Sequence, residues 1–112
     1  MGEKEIAKIL KSLNCRFIRQ YKDARCKNIG PLPFDFKVEF EKSYALIEYN
    51  GRQHYKQTFK NEDLQVIQLR DKIKAEFCRA NRIPFLIIKY TEYHQIEAIL
   101  NDWINDLRRN KY

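Results

Sequence analysis

Phe34, Phe36, Val38 and Phe40 alternate with Asp35, Lys37 and Glu39, a period of two that predicts a half-buried strand with its aromatics on the core side. Glu41, Lys42 and Ser43 break the pattern. Tyr44 to Ile47 then forms an apolar run suited to a central strand buried on both faces, with Glu48 at its end. Before this hairpin, Ile6, Ile9, Leu10 and Leu13 recur at helical spacing and predict an amphipathic helix from Gly2 to Asn14. Cys15 to Tyr21 reads as a first strand, and the polar stretch Lys22 to Leu32, broken by Gly30-Pro31, as a loop.

After the hairpin, Asn50-Gly51 is a tight-turn dipeptide, and Lys56 to Lys60 connects to a long helix from about Asn61 to Asn81. Val66, Leu69, Ile73, Phe77 and Ala80 mark the expected buried stripe of that helix, with Lys74 on its shoulder. Pro84 ends it, Phe85 to Ile88 reads as a buried strand reached by a crossover, and a last helix starts at Glu92 or Tyr93. Its apolar face is Ile96, Ile99, Leu100, Trp103, Ile104 and Leu107, which makes Trp103 a core residue. The expected architecture is α/β, a mixed sheet covered by helices on both faces, in one domain spanning residues 1–112.

A chain of 112 residues holds one core and has no room for a separate recognition domain. No apolar run reaches membrane-spanning length, and MGEKEIAK lacks the apolar core of a secretory signal, so a cytoplasmic protein is expected. Three cysteines without CxxC spacing predict reduced thiols and neither a disulfide framework nor a zinc site. The net charge of +7, from 22 Lys and Arg against 15 Asp and Glu, favours a polyanionic partner. Arg25 and Lys27 serve equally as phosphate contacts or as solvated surface.

Candidate chemistry comes from the hairpin. If Glu41 and Lys42 form a two-residue turn, Phe40 faces Ser43 and Asp35 falls opposite Glu48, their β-carbons about 5 Å apart on one face. Two carboxylates that close repel unless something positive lies between them, and a hard divalent cation takes such oxygen ligands. His54, just beyond Glu48, titrates near neutrality and suits proton transfer, whereas Gln53 can orient a water or hold a phosphate oxygen but cannot act as a base. Glu3 lies one turn before Ile6. It either complements the helix dipole or adds a third carboxylate to the same place.

Pro33-Phe34-Asp35 followed by Glu48-Tyr49-Asn50 resembles the pattern of the PD-(D/E)xK nuclease superfamily, with Asn50 where the motif has lysine. The string IEYNGRQHY, with Gly2-Glu3 on a first helix and Arg70 to Lys74 on a later one, is similar to the branch related to very-short-patch-repair and phage homing-type (EDxHD) endonucleases. The resemblance covers roughly Gly2 to Leu100. It implies a restriction-endonuclease-like αβββαβ core and a Mg²⁺- or Mn²⁺-dependent endonuclease that cuts DNA, in the cytoplasm of a phage's host if the chain is phage-encoded. Asp35, Glu48 and Glu3 would hold the metal, and Gln53 and His54 would manage water and proton. Lys74 is the candidate for the missing lysine, to stabilise charge building on the phosphate. RNA and branched DNA stay open as substrates, and monomer and homodimer as assemblies. The rival readings are a catalytically silent nucleic-acid-binding or accessory module on the same fold, and a regulator acting through a protein partner.

Overall fold

The computed structural model describes residues 2–57 and 63–110. Four strands form one sheet in the order β1-β2-β3-β4: β1 Arg16–Lys27, β2 Pro31–Glu39, β3 Tyr44–Asn50 and β4 Phe85–Lys89. The first three are antiparallel, and β4 runs parallel to β3. A parallel neighbour needs a crossover. Helix α2, Leu64–Ala80, supplies it on one face, while α1 (Gly2–Ser12) and α3 (Ile96–Arg109) cover the other.

The predicted stripes of α1 and α3 meet the sheet as expected. Ile6, Leu10, Ile96, Leu100 and Ile104 bury against Phe36, Val38, Ile47 and Ile88, with Trp103 and Ile99 at the margin of this core. On the other face Phe34, Leu46, Cys26 and Cys78 form a smaller core, joined by Phe77 and Phe85. The hairpin register is the expected one: the amide of Phe40 donates to the carbonyl of Ser43 at 2.8 Å, and Phe36 pairs with Ile47.

Four expectations are corrected. Residues 22–27 are not loop; β1 continues through them across a register shift, leaving only 28–30 between β1 and β2. The cause is Cys26, whose side chain is buried in the smaller core and holds this polar edge segment on the sheet. Next, α2 presents Ile67, Lys74 and Cys78 inward, with Ile73 and Phe77 on the flank, while Val66 and Leu69 are exposed. The helix is turned by about one residue, roughly 100°, from the stripe that apolarity alone predicts. Polar partners for Lys74 and Asp71 on the sheet side account for the turn.

Phe34 and Phe36 do not share a face: Phe34 packs in the α2-side core and Phe36 in the other. The alternation breaks at Asp35 between them. Finally, β4 is an edge strand in which only Ile88 is buried, and Ile87 is 37% exposed. Helix α2 begins at Leu64 with Asp63 as its N-cap, the Asp63 carboxylate accepting from the amide of Gln65 at 2.7 Å. Its expected start at Asn61, and the connector from Thr58 to Lys60, lie outside the described residues. A short 3₁₀ turn, Tyr90–Gln95, precedes α3.

Candidate active site

The β2–β3 ladder stops at Phe36 and Ile47, and side chains take over one step further on. The amide of Asp35 donates to Glu48 Oε2 at 3.3 Å, and the amide of Tyr49 donates to Asp35 Oδ2 at 2.7 Å. The register that pairs Phe36 with Ile47 sets Asp35 against Glu48, as the two-residue turn requires. Each carboxylate thus fills the fork where backbone pairing ends. Both are buried, Asp35 at 9% and Glu48 at 7% exposure.

Lys74 completes this cluster from α2. Its ammonium lies 3.0 Å from Glu48 Oε1, and its side chain is as buried as its partner's. Burial pushes the Asp35 carboxyl above its ordinary range, with the Tyr49 amide opposing and the charge of Glu3 adding to the rise. Glu48 is pushed up to about 7, first by burial and then by Asp35, against the pull of Lys74. One ammonium does not balance two buried carboxylates.

This raised value has a consequence for stability. The folded-state pKa of Glu48 lies above the ordinary 4.5, so the folded chain holds an extra proton between those values. The contribution of neutral Glu48 is fully present below about 4.5 and is lost as pH rises through about 7, at about 1.4 kcal/mol per pH unit. Chemical denaturation in EDTA at a series of pH values should show this slope, and Glu48→Gln should flatten it.

Gln53 and His54 follow on a 3₁₀ turn, Arg52–His54. Gly51 before it has φ −75°, so this turn is not the left-handed type that Asn-Gly suggests. His54 Nδ1 meets Asp71 Oδ2 on α2 at 2.8 Å, and the side-chain amide of Gln68 donates to the His54 carbonyl at 3.3 Å. Asp71 is a residue that sequence reasoning assigned no role in the site. The available signal was its spacing of three from Lys74, which puts both on one side of α2. A carboxylate on Nδ1 selects the tautomer that leaves the Nε2 lone pair for proton transfer.

Glu3 stands at the rim, its Oε1 3.7 Å from Arg19 Nη2 and 3.2 Å from the donating amide nitrogen of Gln20. It is near enough for its charge to act on Asp35. Gly2 explains how the helix gets there: a Cβ on it would fall 2.3 Å from the Tyr49 ring, which lies flat against the first turn of α1. Gly2→Ala should therefore displace α1 and cost about 1–3 kcal/mol, visible as a lowered unfolding midpoint. Trimming the ring in a Gly2→Ala, Tyr49→Leu double variant should recover most of it.

Asn50, where the nuclease motif has lysine, is buried at 3% exposure on the same face of β3 as Glu48. Among the described residues its Oδ1 finds no hydrogen-bond donor. Arg25 pairs with Asp23 at 2.8 Å and lies over the Phe77 ring with its side chain still exposed, and Lys27 is exposed. Tyr55 and Tyr90 pair at 6.1 Å beside His54, with the Lys89 ammonium 5.7 Å from the Tyr55 ring. The cysteines are free thiols, and burial raises Cys78 to about 12.

Among the described residues no three His, Cys, Asp or Glu side chains gather closely enough to form a metal-ligand set. The donors still suit a hard divalent cation. Asp35 and Glu48 offer buried carboxylate oxygens with excess negative charge, and Asn50 an oxygen without a donor. Compared with known proteins, the chain matches no family model, no curated protein and no solved structure. No helix among the described residues is long and apolar enough to cross a membrane.

Proposed function

We propose that this protein is a divalent-metal-dependent endonuclease of the PD-(D/E)xK type that hydrolyses DNA phosphodiester bonds on a restriction-endonuclease-like fold. The observation that carries the reading is the fork at Asp35 and Glu48, with Lys74 3.0 Å from Glu48. A stable fold has no need of two carboxylates buried against each other with an ammonium beside them. Phosphoryl chemistry does need such a group.

Asp35 and Glu48 would hold Mg²⁺ or Mn²⁺, and Glu3, which stands at the rim on Arg19 and Gln20, would have to leave those partners to join them as the third carboxylate. A divalent ion there supplies charge to polarise the scissile phosphate and acidify the attacking water. His54, held through Nδ1 by Asp71, takes the proton from that water at Nε2. Gln53 orients the water or a phosphate oxygen. Lys74 faces the negative charge that builds on phosphorus, in the role lost at Asn50. The net charge of +7 favours DNA approach, and the fold by itself carries one such site, so a monomer nicks and a double-strand break needs two.

The test is nicking of supercoiled plasmid at low salt with Mg²⁺ or Mn²⁺, beside an EDTA control and an Asp35→Ala, Glu48→Ala variant. Relaxed circles from the parent protein with metal alone support the nuclease. The rival binding module draws on one observation, that Lys74 already neutralises Glu48 while Glu3 is engaged by Arg19. A plasmid left intact in both metals yet shifted on a gel would favour it.

A further inference from the structure

Four of the seven tyrosines, Tyr21, Tyr44, Tyr49 and Tyr93, pack against one core or the other. Tyr55 and Tyr90 belong to neither, and Tyr112 lies outside the described residues. The two rings meet each other instead, with 6.1 Å between centres and a tilt of 36°, and Tyr55 stays 37% exposed. An aromatic ring held outside the core presents a flat apolar face to whatever enters beside it.

The parallel pairing of β3 and β4 brings these rings together. Asn50 pairs with Lys89, so the segments leaving the two strands emerge side by side at one end of the sheet. The first carries Gln53, His54 and Tyr55 on the 3₁₀ turn, which the Tyr55 amide closes by donating to the Arg52 carbonyl at 3.0 Å. The second starts with Tyr90. Ligands of open α/β sheets bind outside such carboxyl ends. The Tyr55 ring centre lies 6.4 Å from that of His54 and 5.7 Å from the Lys89 ammonium, which sits on an exposed residue. A stacking face, a mobile cation and the proposed general base thus share one rim.

We propose that Tyr55 and Tyr90 form a stacking platform for an unpaired nucleobase beside the scissile phosphate, with Lys89 on a neighbouring phosphate, so that the preferred substrate is DNA with a single-stranded branch at the cut. The inference rests on the nuclease reading for the position of the cut, and names the substrate class of that site. Aromatic faces beside a cation are the combination that grips single strands, because every base has a π face and every nucleotide a phosphate. A base inside a duplex has both faces covered by its neighbours and cannot reach a tyrosine on the rim. An unpaired base is free to do so. The net charge of +7 draws the strand in, and stacking selects structure rather than sequence.

Binding in EDTA tests the platform without cleavage. The probe is a duplex with a single-stranded branch carrying 2-aminopurine at its first unpaired position, beside the same duplex fully paired. The expected result is an affinity for the branched DNA about tenfold or more above that for the paired duplex, with the fluorescence quenched on binding. Tyr55→Leu and Tyr90→Leu should each lose most of that preference and the quenching, while keeping the parent's duplex affinity and unfolding midpoint. Tyr55→Phe keeps the ring and should keep the preference. Equal affinity of the parent for the two DNAs overturns the platform, as does a preference that survives both leucine changes together or is lost in Tyr55→Phe. Adding Mg²⁺ separates the two readings. Branched DNA bound with quenching yet left uncut would overturn the nuclease and leave a binding surface, whereas cleavage without any preference for the branch would overturn the platform alone.

Discussion

Replacing Asp35 with asparagine is expected to lower cleavage of supercoiled DNA by about a thousandfold or more while leaving the protein as stable as the parent or more so. The asparagine side-chain oxygen would still accept from the Tyr49 amide, so the fork at the end of the β2–β3 ladder stays closed. What disappears is charge. Asp35 is buried with its pKa raised, so at neutral pH its ionised form is held at a cost to the fold. Its charge is also the second largest cause of the rise at Glu48, which should relax toward an ordinary carboxylate in the variant. Plasmid nicking under Mg²⁺ and unfolding by denaturant at pH 7 check the two halves, with Asp102→Asn on the exposed side of α3 as the control. A variant that loses activity and stability together would mean that Asp35 serves the fold rather than a reaction.

That opposition between activity and stability marks the part of the site that was legible in the sequence. A two-residue turn at Glu41-Lys42 has only one register that keeps Phe36 and Ile47 buried together, and that register carries Asp35 to Glu48. The stripes of α1 and α3 were equally plain, since each buries a continuous row of Ile and Leu. The rotation of α2 was not. Val66 and Leu69 are exposed while Lys74 is buried, because an ammonium bonded to Glu48 and a carboxylate bonded to His54 outweigh two aliphatic side chains in choosing the inward face. A hydrophobic pattern counts apolar positions and has no term for partners that only the folded sheet supplies.

The same limit hid the continuation of β1 and the left-handed backbone of Gln20, whose φ is +54°. Polar residues from Lys22 to Lys27 look like a loop unless Cys26 is known to be buried, and a left-handed glutamine has no local signature. Gly2 is a middle case. Its presence was visible, but the need for it comes from the Tyr49 ring pressed against the helix start, 47 positions away in the chain.

Lys74→Met should abolish measurable nicking and cost about 1–3 kcal/mol in EDTA at neutral pH, because buried Glu48 loses its charged donor. Methionine fills much of the volume, but it removes the ammonium that lies 5.5 Å from the Phe34 ring centre and is the only one within reach of Glu48 among the described ion pairs. Breaking a buried pair leaves its partner's charge uncompensated. Glu48 answers by holding its proton to still higher pH, so the window over which stability falls with rising pH should extend beyond the parent's upper limit of about 7. A divalent cation offers the missing charge by another route. Unfolding midpoints measured with and without Mn²⁺ should therefore differ more for Lys74→Met than for the parent, because a ligand that binds only the folded state stabilises it in proportion to the logarithm of its concentration over Kd. Equal shifts in the two proteins would place the cation away from Glu48. A larger shift in the variant, with nicking still absent, would separate the two tasks of this lysine: balancing the carboxylates in the resting fold, and meeting the charge on phosphorus during the reaction.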